Sequence, residues 1–306
     1  MDGAKAWWVG ARVRTYLELV RFSHTIFALP FAIMAVLIAL AKDDAATRTG
    51  PAALAGILVC MIAARTAAMA FNRLVDRSFD AANPRTASRH LPRGDVGTAE
   101  VVGLIAVSCL GFLGGTLLFL PNWLPLALGP PVLAWLLGYS YAKRFTMFAH
   151  AWLGVALGLA PVAAWIALRG QAVLHQPADL LPAAILGLAV TVWVAGFDTI
   201  YACQDASFDA AHGLRSFPAR LGVPRALRLA ALLHGLTVLV LLMLPAVVPQ
   251  LGAIYLAALA AIAGLLAWEH AIVRPDDLSR VNEAFFHANA VVGLVLLAAI
   301  AADVWG

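Results

Sequence analysis

Charge is what this chain has least of. Only 12% of its 306 residues are Asp, Glu, Lys or Arg, while 62% are hydrophobic and the mean hydropathy is +0.86. A soluble domain carries about twice that charged fraction, so a water-soluble globule is excluded. Cysteine is nearly absent. Cys60, Cys109 and Cys203 each stand alone within an apolar run, which excludes a disulfide framework or a zinc module and leaves them as core residues. Alternating apolar and polar positions are missing, which excludes a β-barrel. The first apolar run, about residues 20–41, is too long for the core of a cleaved leader, so none is expected.

What is present is a series of apolar runs at about 20–41, 52–72, 98–119, 123–142, 148–168, 181–203, 226–246, 250–273 and 284–304. Each is about long enough to cross a ~30 Å hydrocarbon layer as a helix. The fold class expected is therefore all-α and polytopic, with nine transmembrane helices in a single domain over residues 1–306. Trp7, Trp8, Lys5, Arg12 and Arg14 predict an amphipathic interfacial helix over residues 1–19. Pro121-Asn122 predicts a tight turn that makes the third and fourth spans a hairpin. With the N-terminus in the cytoplasm, 17 Lys and Arg fall in inside segments and 3 outside, namely Lys42, Arg48 and Arg169. That asymmetry fixes the expected orientation. It also accounts for the net charge of +4 without a nucleic-acid partner.

One heptapeptide occurs nearly twice. Asp76-Arg-Ser-Phe-Asp80-Ala-Ala returns 129 residues later as Asp205-Ala-Ser-Phe-Asp209-Ala-Ala. Each copy ends an apolar run that travels in the same direction. The spacing predicts two parallel four-helix halves plus one further helix, with the acidic motifs facing each other. Asp76 and Asp80 share a helix face, as do Asp205 and Asp209, and Asn72 lies one turn before Asp76. Paired carboxylates suit Mg²⁺ that also binds substrate phosphate oxygens. Solvated helix-end acids are the plainer alternative, but two matching pairs, each beside arginines, favour a site.

Further residues point to the same membrane face. Tyr139 and Lys143 share a face at the end of the fourth span, and Arg85, Arg89 and Arg215 follow the two acidic motifs. Such cations suit phosphate. Arg65 lies well inside the second span and Asp198 inside the sixth, each seven residues before a motif residue, Asn72 and Asp205. A buried charge of this kind lines a cavity or pairs with another; an Arg65–Asp198 ion pair satisfies both readings. Asn282, Glu283, His287, Asn289, Glu269 and His270 read as helix–helix glue, and His24 as a satisfied polar residue. A transporter using the acidic pairs as ion sites is a rival, but transporter sites sit at the midplane. A CDP-alcohol phosphotransferase would need an Asp-Gly-x-x-Ala-Arg motif, which is not found.

Together, Asn72 to Asp80, Tyr139-x-x-x-Lys143 and Tyr201-Ala-Cys-Gln-Asp205-Ala-Ser-Phe-Asp209 resemble the UbiA superfamily of intramembrane prenyltransferases. Nearly the whole chain takes part. Where that family usually has Asn-Asp, this chain has Asn72-Arg73, which removes one carboxylate. With His24-Thr-Ile-Phe-Ala-Leu-Pro30 and Asn83-Pro-Arg-Thr-Ala, this variant is similar to the 4-hydroxybenzoate polyprenyltransferase-like branch, which includes the prenyltransferase of the futalosine route to menaquinone. The resemblance implies transfer from a polyprenyl diphosphate to an aromatic carboxylate, 4-hydroxybenzoate or 1,4-dihydroxy-6-naphthoate. It implies Mg²⁺ on Asn72, Asp76, Asp80, Asp205 and Asp209. Lys143, Arg89 and Arg215 would neutralise the diphosphate, with Arg85 and Tyr139 also binding substrate; Arg65 would pair the acceptor carboxylate or the diphosphate, and Asp198 would polarise the phenol. The place implied is a bacterial inner membrane with the active-site loops in the cytoplasm. A haem O or chlorophyll synthase is a less well matched relative.

Overall fold

Helices begin and end where the sequence places prolines, glycines and the acidic motifs. The computed structural model describes residues 12, 14–20, 28–42, 44, 47, 50–283 and 288–306. Its main helices are α1 (Leu29–Leu40), α2 (Pro51–Val75), α3 (Arg77–Ala82), α4 (Thr98–Thr116), α5 (Leu124–Phe145), α6 (Ala149–His175), α7 (Leu181–Ala202), α8 (Ala206–Ala211), α9 (Phe217–Leu221), α10 (Val223–Leu241), α11 (Ala253–Ile272) and α12 (Asn289–Trp305). Among the described residues there is no strand. Proline stands in the first turn of α1, α2, α5, α7, α9 and α10, where its missing N–H has no helical partner to lose.

Among the described residues, six segments have the length and composition to cross a membrane: Pro51–Val75, Thr98–Phe119, Ala149–His175, Pro177–Ala211, Val223–Ala246 and Ala253–Ile272. A helix stands in each of the nine expected windows, but the described residues do not give nine spans on those terms. The helices α1 and α12 are apolar but hold 12 and 17 described residues. The 22-residue α5 is diluted by Pro130 and Pro131 inside it and by its tyrosines. The expected interfacial helix is described only from Arg12 onward; Lys5, Trp7, Trp8, His24 and His287 lie outside the described residues.

The bundle is organised around α7. In its apolar window 67% of residues are buried within the protein, against 22–39% in the other five long spans. Those five turn large side chains outward, such as Leu110, Leu232 and Leu239, as lipid-facing helices do. The closest helix pair is α6 with α7. A Cβ on Gly154 would stand 2.2 Å from the Thr191 carbonyl oxygen, and one on Gly158 would stand 2.4 Å from the Gly187 carbonyl oxygen. Small residues let these backbones touch, which is how helices gain packing energy in lipid.

The two ends of the bundle differ in charge chemistry. At the far end of α6 the backbone leaves helical geometry at Arg169 (φ −127°, ψ 22°). The Asn122 side chain donates to the carbonyls of Ile166 (2.7 Å) and Ala167 (3.2 Å) there. Arg169 is buried and forks onto Asp44 and Asp179, and Lys42 joins Asp179 at 3.0 Å. Two of the three expected outside cations are thus consumed in one lock. The opposite end carries both acidic motifs.

Candidate active site

The repeated heptapeptides build the same local structure twice. The backbone departs from the helix at Asp76 (φ −90°, ψ 7°), and α3 starts at the next residue. It does the same at Asp205 (φ −104°, ψ 6°), where α8 starts. Each short helix then presents its own aspartate, Asp80 or Asp209, both buried. The pairs are therefore not one continuous helix face as expected; a one-residue break separates each. The break still turns all four carboxylates into a common cavity of about 260 Å³ between α2, α3, α5, α7 and α8.

The cavity wall carries as many cations as acids. Asp76, Asp80, Asp198, Asp205 and Asp209 line it, with Arg73, Arg85, Arg89, Lys143 and Arg144. Asp80 accepts from Arg89 at 2.6 Å. Asp209 accepts from Lys143 at 3.1 Å. Asp76 accepts from Asn72 at 2.9 Å and lies 3.4 Å from Arg144. Asp205 is forked by Arg85, with Nε at 2.8 Å from Oδ1 and Nη2 on Oδ2, and takes a third bond from Asn83 at 3.0 Å. Arg85 is aimed across the cavity by local chemistry. Its backbone N–H donates to the Asn83 side chain at 3.0 Å, an Asx-turn ahead of Pro84, while its Nη1 donates to the Tyr201 hydroxyl at 2.8 Å. The Asn83-Pro-Arg sequence of the first motif thereby clamps the second.

Burial and the neighbouring Asp80 hold Asp76 above the ordinary carboxylate range, outweighing Arg144. Burial pulls the Arg85 guanidinium down, but the bonds and charges of Asp205 and Tyr201 together outweigh this and the net shift is upward.

The structure places several of the expected residues away from this cavity or with other partners. Arg215 does not line the cavity. It is exposed and donates to the Phe145 carbonyl at 2.7 Å, and its backbone N–H donates to the Lys143 carbonyl at 2.6 Å. It pins the α8–α9 loop to the end of α5. Arg65 is also not among the lining residues. It lies half-buried on α2, one turn below Met69, which does line the cavity. Asp198 lines the cavity but pairs with His150 at 2.7 Å, not with Arg65. Tyr139 lines the wall as expected.

Sequence reading missed Asn83, Tyr201, Arg144 and His150 as site residues. Arg144 and Asn83 had a signal in their adjacency to Lys143 and Arg85. His150 had none, because its meeting with Asp198 depends on the α6–α7 seam. Asn289 and Glu269 (3.4 Å) and His270 and His234 (3.0 Å) do join neighbouring helices, as read.

The residues present fit Mg²⁺ in one respect and limit it in another. Asp80 Oδ2 is buried without a hydrogen bond, 3.8 Å from Arg73 Nη1, so a hard acceptor faces inward. Yet among the described residues no three carboxylate, His or Cys groups converge as a ready cage. The motifs could hold a metal only with further oxygens from a ligand, which is the usual habit of Mg²⁺.

Residues 28–290 match the UbiA prenyltransferase family. The 4-hydroxybenzoate octaprenyltransferase of Methylobacillus flagellatus is 33% identical over 243 residues, covering 78% of this chain and 77% of that one. A mitochondrial 4-hydroxybenzoate polyprenyltransferase of Caenorhabditis elegans is 31% identical over 78% of this chain, which spans 64% of the nematode protein. Among solved structures, the apo structure of a UbiA homologue from Aeropyrum pernix superposes with a TM-score of 0.80 at 33% identity, covering 92% of this chain and 98% of that one. A UbiA homologue from Archaeoglobus fulgidus bound to GPP and Mg²⁺ shares the fold, with a TM-score of 0.58 at 17% identity over 95% and 99% of the two chains. This integral membrane chain belongs to the UbiA prenyltransferase family, and it is a prenyltransferase.

Proposed function

We propose that the chain transfers a polyprenyl group from its diphosphate to 4-hydroxybenzoate, with Mg²⁺, in a step of quinone biosynthesis. The observation that carries this reading is the neutral wall: five carboxylates matched by five cations around one cavity. Such a wall has no net attraction for a bare divalent cation or a bare diphosphate. It complements the two together, with acids to the metal and cations to the phosphate oxygens. The Archaeoglobus homologue binds that combination, and the Methylobacillus relative is named for the acceptor.

In this reading Asn72, Asp76, Asp80, Asp205 and Asp209 would hold the metal, which would supply Lewis acidity toward the diphosphate. Arg85, Arg89 and Lys143 exchange their carboxylate partners for phosphate oxygens and stabilise negative charge as the C–O bond breaks. The bond's electron pair leaves with the diphosphate. The acceptor ring supplies the pair that forms the new C–C bond, while its phenol proton passes to Asp198. The resulting ring ketone becomes a phenol again by moving its ring-carbon proton to oxygen. The one proton released overall is the one on Asp198. Tyr139 borders the reacting carbon. Arg65, next along the α2 face beyond Met69, would pair the acceptor carboxylate. Arg215 keeps Lys143 in place instead of touching phosphate. All nine helices would lie in the membrane as two four-helix halves plus one, with the cavity opening to the cytoplasm of a bacterial inner membrane.

The test is an incubation of membranes holding the protein with Mg²⁺, a labelled polyprenyl diphosphate and either 4-hydroxybenzoate or 1,4-dihydroxy-6-naphthoate. Prenylated 4-hydroxybenzoate is expected, and it should vanish on chelation. Product only with the naphthoate would reassign the acceptor; no product with either would overturn the reading.

A further inference from the structure

Four of the five cavity carboxylates face an arginine or lysine; Asp198 faces a histidine. His150 is fully buried, and its Nδ1 lies 2.7 Å from Asp198 Oδ2. Its Nε2 accepts the Phe217 backbone N–H at 3.4 Å, and its ring lies against the Phe217 ring at 5.2 Å. A neutral imidazole donates from one nitrogen and accepts at the other. With Nε2 accepting, Nδ1 carries the proton and donates to Asp198. This occupies Oδ2 and leaves Oδ1, which has no donor among the described residues, for the cavity.

The glycine seam dictates this meeting. His150 stands one turn before Gly154 on α6, and Asp198 stands two turns beyond Thr191 on α7. Because Gly154 meets the Thr191 backbone without a Cβ between them, the two side chains reach each other at the cavity end of the seam. Tyr139 and Lys143, both from α5, also lie in electrostatic reach of Asp198. Nothing in the diphosphate chemistry uses His150.

We propose that His150 is a positioning residue: its Nδ1–H fixes the Asp198 carboxylate, with Oδ1 aimed at the acceptor's phenol. This rests on the reading of an aromatic acceptor given above. Asparagine places a donor nitrogen where His150 has Nδ1; glutamine and leucine do not. The proteins to compare are wild type, His150→Asn, His150→Leu, Asp198→Asn and the His150→Leu/Asp198→Asn double variant, each in membranes. The readouts are kcat and KM for each substrate.

His150→Leu should lower kcat about 10- to 100-fold, the range for an outer group that orients a reacting one. KM for the prenyl diphosphate should change less than about twofold, since uniform binding is untouched. His150→Asn should restore the rate, and the double variant should be no slower than Asp198→Asn. If His150→Leu does not fold, His150→Gln replaces it with the same expectations. A wild-type kcat in the leucine or glutamine variant, or a loss that asparagine does not restore, would overturn the proposal. Wild-type product with the aromatic acceptor tests the reading beneath it separately.

Discussion

Replacing Gly154 with alanine adds one methyl group at the seam that sets the active-site geometry. Its Cβ would lie 2.2 Å from the Thr191 carbonyl oxygen, whereas ordinary contact begins at 3.4 Å, so α6 and α7 must part by about 1.2 Å. The obstructing atom is backbone, which cannot rotate away. One turn along, the His150–Asp198 bond is 2.7 Å; half of that displacement carries it past the ~3.2 Å limit of a good hydrogen bond. Overpacking of this kind destabilises by about 1–3 kcal/mol, and a displacement near 1 Å at a reacting group costs about 100-fold in rate. Gly264→Ala on α11 is the control, because nothing lies within 4 Å of its new Cβ. Both variants would be reconstituted in lipid nanodiscs, then assayed for thermal unfolding and for kcat with saturating substrates. Gly154→Ala should lose kcat by about two orders of magnitude with little change in KM for the prenyl diphosphate, while Gly264→Ala should match wild type. Equal kcat in the two variants would refute the claim that the seam sets the site.

Three further outcomes are expected. Because the cavity wall is neutral, Mg²⁺ alone or inorganic diphosphate alone should raise the melting temperature little, and the two together much more; a full shift from Mg²⁺ alone would contradict the paired-charge account. Asp76 is held above the ordinary carboxylate range by burial and by Asp80, so turnover should fall as pH drops through that raised value, earlier than a free aspartate at ~3.9 would dictate. The raised folded value also means that ionised Asp76 opposes folding above it, a penalty absent below ~3.9; Asp76→Asn should thus melt higher than wild type at neutral pH yet be inactive. Arg89→Ala, which strips the partner of Asp80, should lower kcat by about 100-fold or more, whereas Arg215→Ala should cost only a modest drop in melting temperature, about that of one hydrogen bond, as read by side-by-side rate and unfolding assays.

The parts legible in sequence are those whose signal is local or repeated. Composition gave the helical membrane class because lipid leaves a chain little choice. The acidic pairs were legible because both copies use the same residues to break a helix at its first aspartate. Lys143 was legible because it ends an apolar run one turn after Tyr139. What local spacing could not say was which cation serves which acid. Arg215 and Arg85 look alike as arginines downstream of an aspartate, yet one bonds a loop carbonyl and the other crosses the cavity to Asp205. The difference lies in Asn83, whose side chain turns Arg85 inward. His150 was illegible for a similar reason: its partner is 48 residues away, and only the Gly154–Thr191 contact brings them together.

The ion pairs of this cavity are weak stabilisers by their nature. Removing two charges from water costs nearly what their attraction returns, so a buried pair is often no better than an apolar one. Five cations and five carboxylates around one cavity are therefore hard to explain as structural reinforcement. They make sense as placeholders. In the ligand-free protein each carboxylate has a basic partner, even though Asp80 Oδ2 is left without a hydrogen bond. In the function proposed above, a metal–diphosphate complex would give acids and cations each a partner of the same sign as the one they release. Because each partner would be replaced and not merely removed, no buried charge need be left unpaired, whereas an apolar wall would offer the leaving group nothing.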